Sequence, residues 1–299
     1  MTTVQYLLGI DGGGTRCRAR LRATDGTLLG QGEGGPANIR LGLDTAWANM
    51  AEAIDAAFAR AGLSREHWGA TAIGLGLAGI VTDADGERTI AAGPDFARAR
   101  AGSDGLAACL GAFGGRDGAI LITGTGSAAN AWVDGQEHAI GGYGFEVSDR
   151  GSAAELGRRA IARALDGHDG IRSHGPCTRA LMEALGGSGA TVVAWVNRAT
   201  PAAYGSWAPL VLGHAGAGDP TAIALVRQTA DDVEAQLRRL HALGAPAISL
   251  VGGMAEPITP WLSPWARGVI RPPEHDAMEG AVLLARRAVD IPESKETRP

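Results

Sequence analysis

The chain has 299 residues, of which 45% are hydrophobic and 20% are charged, and its formal net charge is −5 at pH 7. This composition excludes a disordered protein and leaves room for two domains. The 46 glycines fall in short clusters rather than a repeat, which excludes a collagen-like chain, and no basic block favours nucleic-acid binding.

Localisation is predicted from apolar runs and cysteine spacing. No apolar run reaches the ~18 residues that a transmembrane helix needs, and the N-terminus lacks the features of a signal peptide. The three cysteines (Cys17, Cys109 and Cys177) lie far apart with no CxxC pair. This spacing favours free thiols in a reducing compartment over disulfides or zinc. We therefore expect a cytoplasmic protein with neither a membrane nor a nucleic-acid partner.

The chain opens with a predicted strand, a glycine-rich loop and a second strand. Residues 6–10 form an apolar run typical of a buried strand, and residues 17–21 alternate like a returning strand. The loop is either a hairpin turn with a capping aspartate or an anion-binding turn whose N–H groups hold phosphate oxygens. In the second case Asp11 would hold Mg²⁺, through water. The loop consists of Asp11, Gly12, Gly13, Gly14 and Thr15.

The remainder of the first half predicts a mixture of strands and helices. A third strand begins at Leu28 and is broken by the glycine-rich residues 30–35. A helix capped by Asp44 follows, then a buried strand over residues 70–77 and helical segments near 83–92 and 105–113. The glycine-rich residues 114–118 mark a boundary, so we expect domains over residues 1–115 and 116–299.

The second half repeats the opening theme roughly 110 residues later, with strand, glycine- and hydroxyl-rich turn, and strand. Two such halves predict a ligand held between two domains. A loop over residues 141–152 precedes several helices, one opened by Asp219 and Pro220. A strand over residues 247–251 then leads into Gly252 and Gly253, and Asp276 caps a last helix. The turn itself consists of Thr123, Gly124, Thr125, Gly126 and Ser127.

These loops, in this order, resemble the motifs of the sugar kinase, Hsp70 and actin superfamily. Residues 11–15 resemble its first phosphate motif, residues 123–127 its second, and Gly252, Gly253 and Met254 its adenosine motif. Within it, the chain resembles bacterial glucosamine kinases, which belong with N-acetylglucosamine kinases and BadF/BadG-type ATPases. Further matching stretches are residues 36–39, 148–152, 169–172, 261–264 and 276–281.

The resemblance implies an α/β fold of two ribonuclease H-like (actin-like ATPase) domains with an interdomain cleft. It also implies an enzyme that uses ATP and Mg²⁺ to phosphorylate the 6-hydroxyl of glucosamine or N-acetylglucosamine. Asp104 then matches the general base that accepts the proton of this hydroxyl. A helix N-cap is the alternative role for Asp104. The positions that match sugar-binding residues are Asn38, Asp104, Gly142, Tyr143 and Asp149.

Several alternatives stay open. Ser148 resembles the glucosamine kinases, whereas Tyr143 and Gly144 resemble the N-acetylglucosamine enzymes, so the acceptor is glucosamine, its N-acetyl form or glucose. A homodimer is also left open. The rival functions are an ATPase that activates a partner enzyme and a sugar-sensing regulator without catalysis. Such activators hold an iron–sulfur cluster with cysteines, and Cys109 and Cys177 are not placed like those ligands.

Overall fold

The computed structural model describes residues 3–290 and confirms the predicted α/β class, with two β-sheets. The strands are β1 (Tyr6–Gly12), β2 (Cys17–Ala23), β3 (Leu28–Gly34), β4 (Thr71–Leu77), β5 (Arg98–Ser103), β6 (Gly118–Thr123), β7 (Ser127–Val133), β8 (Gln136–Gly141) and β9 (Ile248–Val251). The helices are α1 (Leu43–Arg60), α2 (Asp83–Ala91), α3 (Asp104–Ala112), α4 (Ala153–His168), α5 (Pro176–Ala184), α6 (Gly189–Val196), α7 (Pro201–Gly205), α8 (Ala208–Gly216), α9 (Pro220–Ala242), α10 (Ala255–Ile258), α11 (Pro264–Val269) and α12 (Ala277–Asp290). None of these helices is both long and apolar enough to span a bilayer.

The described residues group into two compact units. Unit 1 takes its residues from Met1–Gly118, Ala131–Glu137 and Pro272–Pro299, and unit 2 from Ala119–Asn130 and His138–Arg271. This grouping differs from the predicted division into residues 1–115 and 116–299, mainly because α12 belongs to unit 1. The predicted domains over residues 1–115 and 116–299 stay a prediction.

Helix α12 joins unit 1 because two strands leave space for its backbone. A Cβ atom on Gly9 of β1 would lie 2.4 Å from the Val282 nitrogen, and one on Gly74 of β4 would lie 2.0 Å from the Ala281 oxygen. Val282 and Ala285 of the helix share an apolar cluster with Leu7 and Ala72. The last helix of the chain therefore covers one face of the first sheet.

The sheet of unit 1 has the strand order β3-β2-β1-β4-β5. Strands β1, β4 and β5 are parallel, and the register pairs Gly12 with Leu77 and Leu77 with Ser103. The carboxyl ends of these strands therefore lie at one edge of the sheet, and the loops that follow them start from that edge. Strand β5, which ends immediately before Asp104, was not among the predicted elements.

The predicted break of β3 at residue 30 is wrong, because the strand continues through its glycines to Gly34. Gly30, Gly32 and Gly34 recur at alternate positions and face α1. Cβ atoms on these three residues would lie 2.0–2.1 Å from backbone oxygens of that helix. The glycines therefore let the helix pack directly on the strand, and the stripe is a packing surface rather than a loop.

The second sheet has the order β8-β7-β6-β9, with β6 and β9 parallel. This order repeats β3-β2-β1-β4 of the first sheet, so the predicted internal repeat extends beyond the two loops to four strands. The predicted start of α9 is also confirmed, since the Asp219 carboxylate accepts hydrogen bonds from the N–H groups of Thr221 and Ala222 at 2.8 and 2.9 Å.

Candidate active site

In unit 1 the first loop is held by its neighbours at the carboxyl edge of the sheet. The Ala78 N–H donates to the Gly12 oxygen at 2.8 Å, and the Ala37 N–H donates to the Gly13 oxygen at 3.0 Å. These bonds join the loop to the segments that follow β3 and β4. Asn38 lies in the same place, because a Cβ atom on Gly79 would lie 2.6 Å from its Oδ1.

The exposed part of this loop presents backbone donors. The Gly13 N–H is used within the loop, where it donates to the Arg16 oxygen at 3.0 Å. The N–H groups of Gly14 and Thr15 have no hydrogen-bond acceptor among the described residues, and both residues are exposed. Consecutive free N–H groups of this kind are typical of anion-binding turns.

Asp11 carries the charge of this loop and is paired with an arginine that the sequence reasoning missed. Arg18 Nη2 lies 2.5 Å from Asp11 Oδ2, and the two residues are directly opposite each other in the β1–β2 ladder. Opposite charges at facing positions of an antiparallel pair stabilise each other. Counting back across the predicted hairpin would have revealed this pair.

Asp104 follows β5 at the same edge of the sheet. Its carboxyl group is exposed, yet the surrounding protein displaces enough water to raise its pKa. The Asp11 carboxylate raises this pKa further, whereas the Gly105 N–H, which donates to Asp104 Oδ1 at 2.9 Å, lowers it. Asp11 lies near the end of β1 and Asp104 follows β5, so both residues are at the carboxyl edge of the sheet.

Helix α3 does not use Asp104 as its cap. The Leu106 N–H donates to Ser103 Oγ at 2.9 Å, and Asp104 is the first residue of the helix. Ser103, and not Asp104, is therefore the N-cap of α3. The Asp104 carboxylate accepts a hydrogen bond from the Gly105 N–H at 2.9 Å and none from the side chain of another described residue.

In unit 2 the second loop is hydrogen-bonded to the first residues of α4. The N–H groups of Ala153 and Ala154 donate to the oxygens of Gly124 and Thr125 at 2.8 and 3.2 Å. The loop carbonyls therefore point at the helix, while the Thr125 N–H and hydroxyl have no acceptor among residues 3–290. Thr125 is exposed, so both of its donors are available to a ligand.

The adenosine motif packs against the same loop. Gly252 has a φ of +101°, and a Cβ atom on it would lie 2.3 Å from the Thr123 oxygen. The Met254 N–H donates to this oxygen at 3.0 Å, and the Met254 side chain is buried. The structure thus brings the second and third motifs together, with Gly253 facing open space.

Asp149, in the segment between β8 and α4, packs against the second loop. It is 8% exposed and has a φ of +60°, which is strained for a non-glycine residue. A Cβ atom on Gly126 would lie 2.7 Å from its Oδ2, and the carboxylate accepts no hydrogen bond from another described residue. A buried carboxylate without a partner requires a donor or a cation, and a bound ligand can supply either.

The other two predicted sugar-binding residues of unit 2, Gly142 and Tyr143, lie at the start of the loop that follows β8. The Gly142 N–H donates to the Ser127 oxygen at 3.1 Å, which fixes the start of the predicted sugar loop beside the phosphate loop. Tyr143 is 77% exposed. Asp11, Asn38 and Asp104 thus form one group in unit 1. A second group in unit 2 consists of Thr123–Ser127, Gly142, Asp149 and Gly252–Met254.

The residues at the first loop fit a magnesium ion held jointly with phosphate groups. Magnesium in phosphoryl-transfer sites is held by one or two carboxylates together with substrate phosphates and water. Asp11 supplies such a carboxylate beside free N–H donors, and Arg18 is its ion-pair partner. Among the described residues no cluster of three or more His, Cys, Asp or Glu side chains is placed to hold a metal ion.

Comparison with known proteins gives consistent matches over most of the chain. It is 40% identical to the glucosamine kinase GspK of Vibrio cholerae over 282 residues, which cover 94% of this chain and 96% of that protein. A crystal structure of a provisionally assigned N-acetylglucosamine kinase from Chromobacterium violaceum has a TM-score of 0.78 and 40% identity, covering 94% of this chain and 99% of that one.

A more distant structure supports the fold alone. A ROK family glucokinase from Streptomyces griseus, solved with glucose and AMPPNP, has a TM-score of 0.51 and 19% identity, covering 95% of this chain and 99% of that one. The predicted resemblance to the sugar kinase and actin-like ATPase fold is thereby confirmed. The model of the BadF/BadG/BcrA/BcrD ATPase family matches residues 8–285, and the chain belongs to that family.

Proposed function

We propose that this enzyme transfers the γ-phosphoryl group of ATP to the 6-hydroxyl of glucosamine or N-acetylglucosamine, with Mg²⁺ held at Asp11. The observation that carries the proposal is the placement of Asp104 at the same sheet edge as the first phosphate loop. The chain is an ATP-dependent sugar kinase, as its family and its 40% identical relative show. We place the reaction in the cytoplasm, where its three free cysteines would stay reduced.

Transfer mostly requires positioning and charge neutralisation, because the transition state is loose and its charge is spread over the phosphoryl oxygens. The free N–H groups of Gly14, Thr15 and Thr125 are suited to the phosphate oxygens. The acceptor hydroxyl oxygen forms a bond to the γ-phosphorus while the bond between this phosphorus and the bridging oxygen breaks, and ADP leaves. Asp104 takes the hydroxyl proton. A bound Mg²⁺ ion would neutralise phosphate charge.

The sugar residues are suited to a ring of hydroxyl groups. Asn38 has a side-chain amide whose Oδ1 accepts the Arg40 N–H at 2.9 Å, leaving its NH₂ group to donate. Asp149 can accept hydroxyl protons, because its carboxylate has no donor among the described residues. Gly142 and Tyr143 belong to the loop that follows β8. The two relatives that are 40% identical are both named for an amino sugar, which favours an amine or acetamide at the sugar 2-position.

The test is turnover of ATP by the purified chain against glucosamine, N-acetylglucosamine and glucose. We expect turnover to require an amino sugar, with ³¹P–¹H coupling locating the new phosphate on carbon 6. Asp104→Asn should lower kcat by about 10²–10⁴-fold. Asp44→Asn is the matched control, since Asp44 is exposed in the first turn of α1. Equal ATP turnover with and without sugar would reject the proposal.

A further inference from the structure

Unit 2 contains a cavity of about 290 Å³ beside the loop that joins β8 to α4. Among its lining residues, Ser127 alone belongs to the predicted phosphate and sugar sites. The cavity is closed on one side by the middle of α9 and on the other by the loop. The lining residues used below are Ile140, Val147, Ser148, Arg150, Gln236 and Arg239.

The cavity is cationic. Neither the Arg150 nor the Arg239 guanidinium group has an ion-pair partner among the described residues. The carboxylate that also lines the cavity, Asp232, is already engaged, because Arg159 Nη1 lies 2.5 Å from its Oδ2. The neighbouring Arg238 has its own partner in Glu234. Two unpaired guanidinium groups at one cavity favour a doubly charged anion, which arginine binds through paired N–H donors.

The rest of the lining is suited to a polyol attached to that anion. The Gln236 Nε2 group donates a hydrogen bond to the Arg150 oxygen at 2.8 Å, which leaves the Gln236 Oε1 atom to accept one from a hydroxyl group. Ser148 adds a hydroxyl, and Ile140 and Val147 supply an apolar wall, with Val147 78% exposed. A volume of this size is at the lower end of the range for small-ligand sites.

We propose that this cavity binds a phosphate monoester, namely the sugar phosphate that the enzyme makes. The identity of the occupant rests on the proposed function, whereas the affinity for phosphate does not. Inorganic phosphate offers the same charge without the sugar, so the two sources are separable by titration.

The cavity is connected to the candidate active site through one carbonyl group. Ser127 Oγ and Gln236 Nε2 both donate to the Arg150 oxygen, each at 2.8 Å. Arg150 directly follows Asp149, whose left-handed backbone places its carboxylate against the second phosphate loop. An occupant that binds the Arg150 side chain would therefore hold the segment that carries Asp149, and we expect it to slow turnover.

The experiment measures binding and inhibition on the full chain. With AMPPNP and Mg²⁺ saturating the nucleotide site, calorimetric titrations use glucosamine 6-phosphate, inorganic phosphate and unphosphorylated glucosamine. Arg239→Gln removes one guanidinium group of the cavity without touching the active site. Arg227→Gln is the control, because Arg227 is exposed on the same helix outside the cavity. We expect Arg239→Gln to weaken phosphate-ester binding by tenfold or more and Arg227→Gln to leave it unchanged.

Inhibition distinguishes the cavity from the acceptor site. In the parent enzyme and in Arg227→Gln, sugar phosphate should still inhibit at saturating sugar, and Arg239→Gln should lose this component while keeping its uninhibited kcat. Binding of inorganic phosphate alone would support the anion site and overturn the sugar phosphate as occupant. Equal affinities in the two variants would overturn the site itself. Binding without kinase activity would reject the proposed function but not the anion site.

Discussion

Gly32→Ala tests whether the glycine stripe of β3 is a packing surface. A Cβ atom on Gly32 would lie 2.0 Å from the Ala53 oxygen and 2.8 Å from the Ala56 Cβ atom of α1. The nearest obstacle is backbone, which cannot rotate away. The helix must therefore move off the sheet by about 1.4 Å to restore the 3.4 Å at which ordinary contact begins.

That displacement has a calculable cost, because α1 carries Met50, Ile54 and Phe58 into the core of unit 1. Overpacking typically costs about 1–3 kcal/mol, and replacing a strand glycine by alanine returns roughly 0.5–1 kcal/mol. Since the whole helix must shift, we expect a loss near the upper end, about 2–3 kcal/mol in the free energy of unfolding.

The assay is urea unfolding followed by circular dichroism. Gly69→Ala is the matched control in the same unit, because no atom lies within 4 Å of the added Cβ and the backbone of Gly69 is not left-handed. Its free energy of unfolding should stay within about 0.5 kcal/mol of the parent. If Gly32→Ala were as stable as this control, the stripe would not be in close contact with α1.

Three further predictions concern charge and thiols. Because the surrounding protein raises the pKa of Asp104, the acid limb of kcat should be shifted upward from the ordinary aspartate value, with activity rising as the base ionises. Arg20→Met should destabilise by an amount between the ~0–1 kcal/mol of exposed pairs and the ~3–5 kcal/mol of buried ones, because Arg20 is 12% exposed and bonds both Asp276 oxygens. Burial opposes ionisation of Asp276 but Arg20 lowers its pKa overall, so this stabilisation is present at neutral pH and disappears as pH falls through the lowered pKa; acid titrations of the two proteins should converge there. Burial raises the pKa of Cys17 and Cys177 to about 11, so a thiol reagent at pH 8 should modify neither until the chain is unfolded.

The elements that the sequence predicted correctly are those with a complete local signal. Strands β1 and β6 are apolar runs that end in glycine loops, and Asp219 and Asp276 are caps with the right residue at the next turn. Strands β5 and β8 were missed because they carry charged residues and contain no apolar run, so their sequence does not mark them as strands. Their place is decided by pairing with neighbouring strands, which is a tertiary effect.

The candidate site divides in the same way. Its loops are contiguous in sequence and were predicted as motifs, and the family match supports that reading. The Arg18 partner of Asp11, the capping role of Ser103 and the use of the α4 N–H groups by Gly124 depend on geometry. A motif names residue types, whereas the donors that remain free for a ligand are known only after the protein has used the others.

The glycines of the motifs can be separated by this criterion. Gly252 is required by the fold itself, because a Cβ atom on it would lie 2.3 Å from the Thr123 oxygen, whereas a Cβ atom on Gly12 would lie 2.5 Å from Leu77 Cδ2, a side-chain tip that would have to move. A Cβ atom added to Gly14 or Gly253 would have no atom within 4 Å, and neither residue has a left-handed backbone. The fold therefore does not require glycine at these two positions. A ligand that approaches the backbone closely would explain them. Alanine at these two positions should therefore weaken nucleotide binding while leaving the urea midpoint unchanged, and a loss of stability instead would assign them to folding.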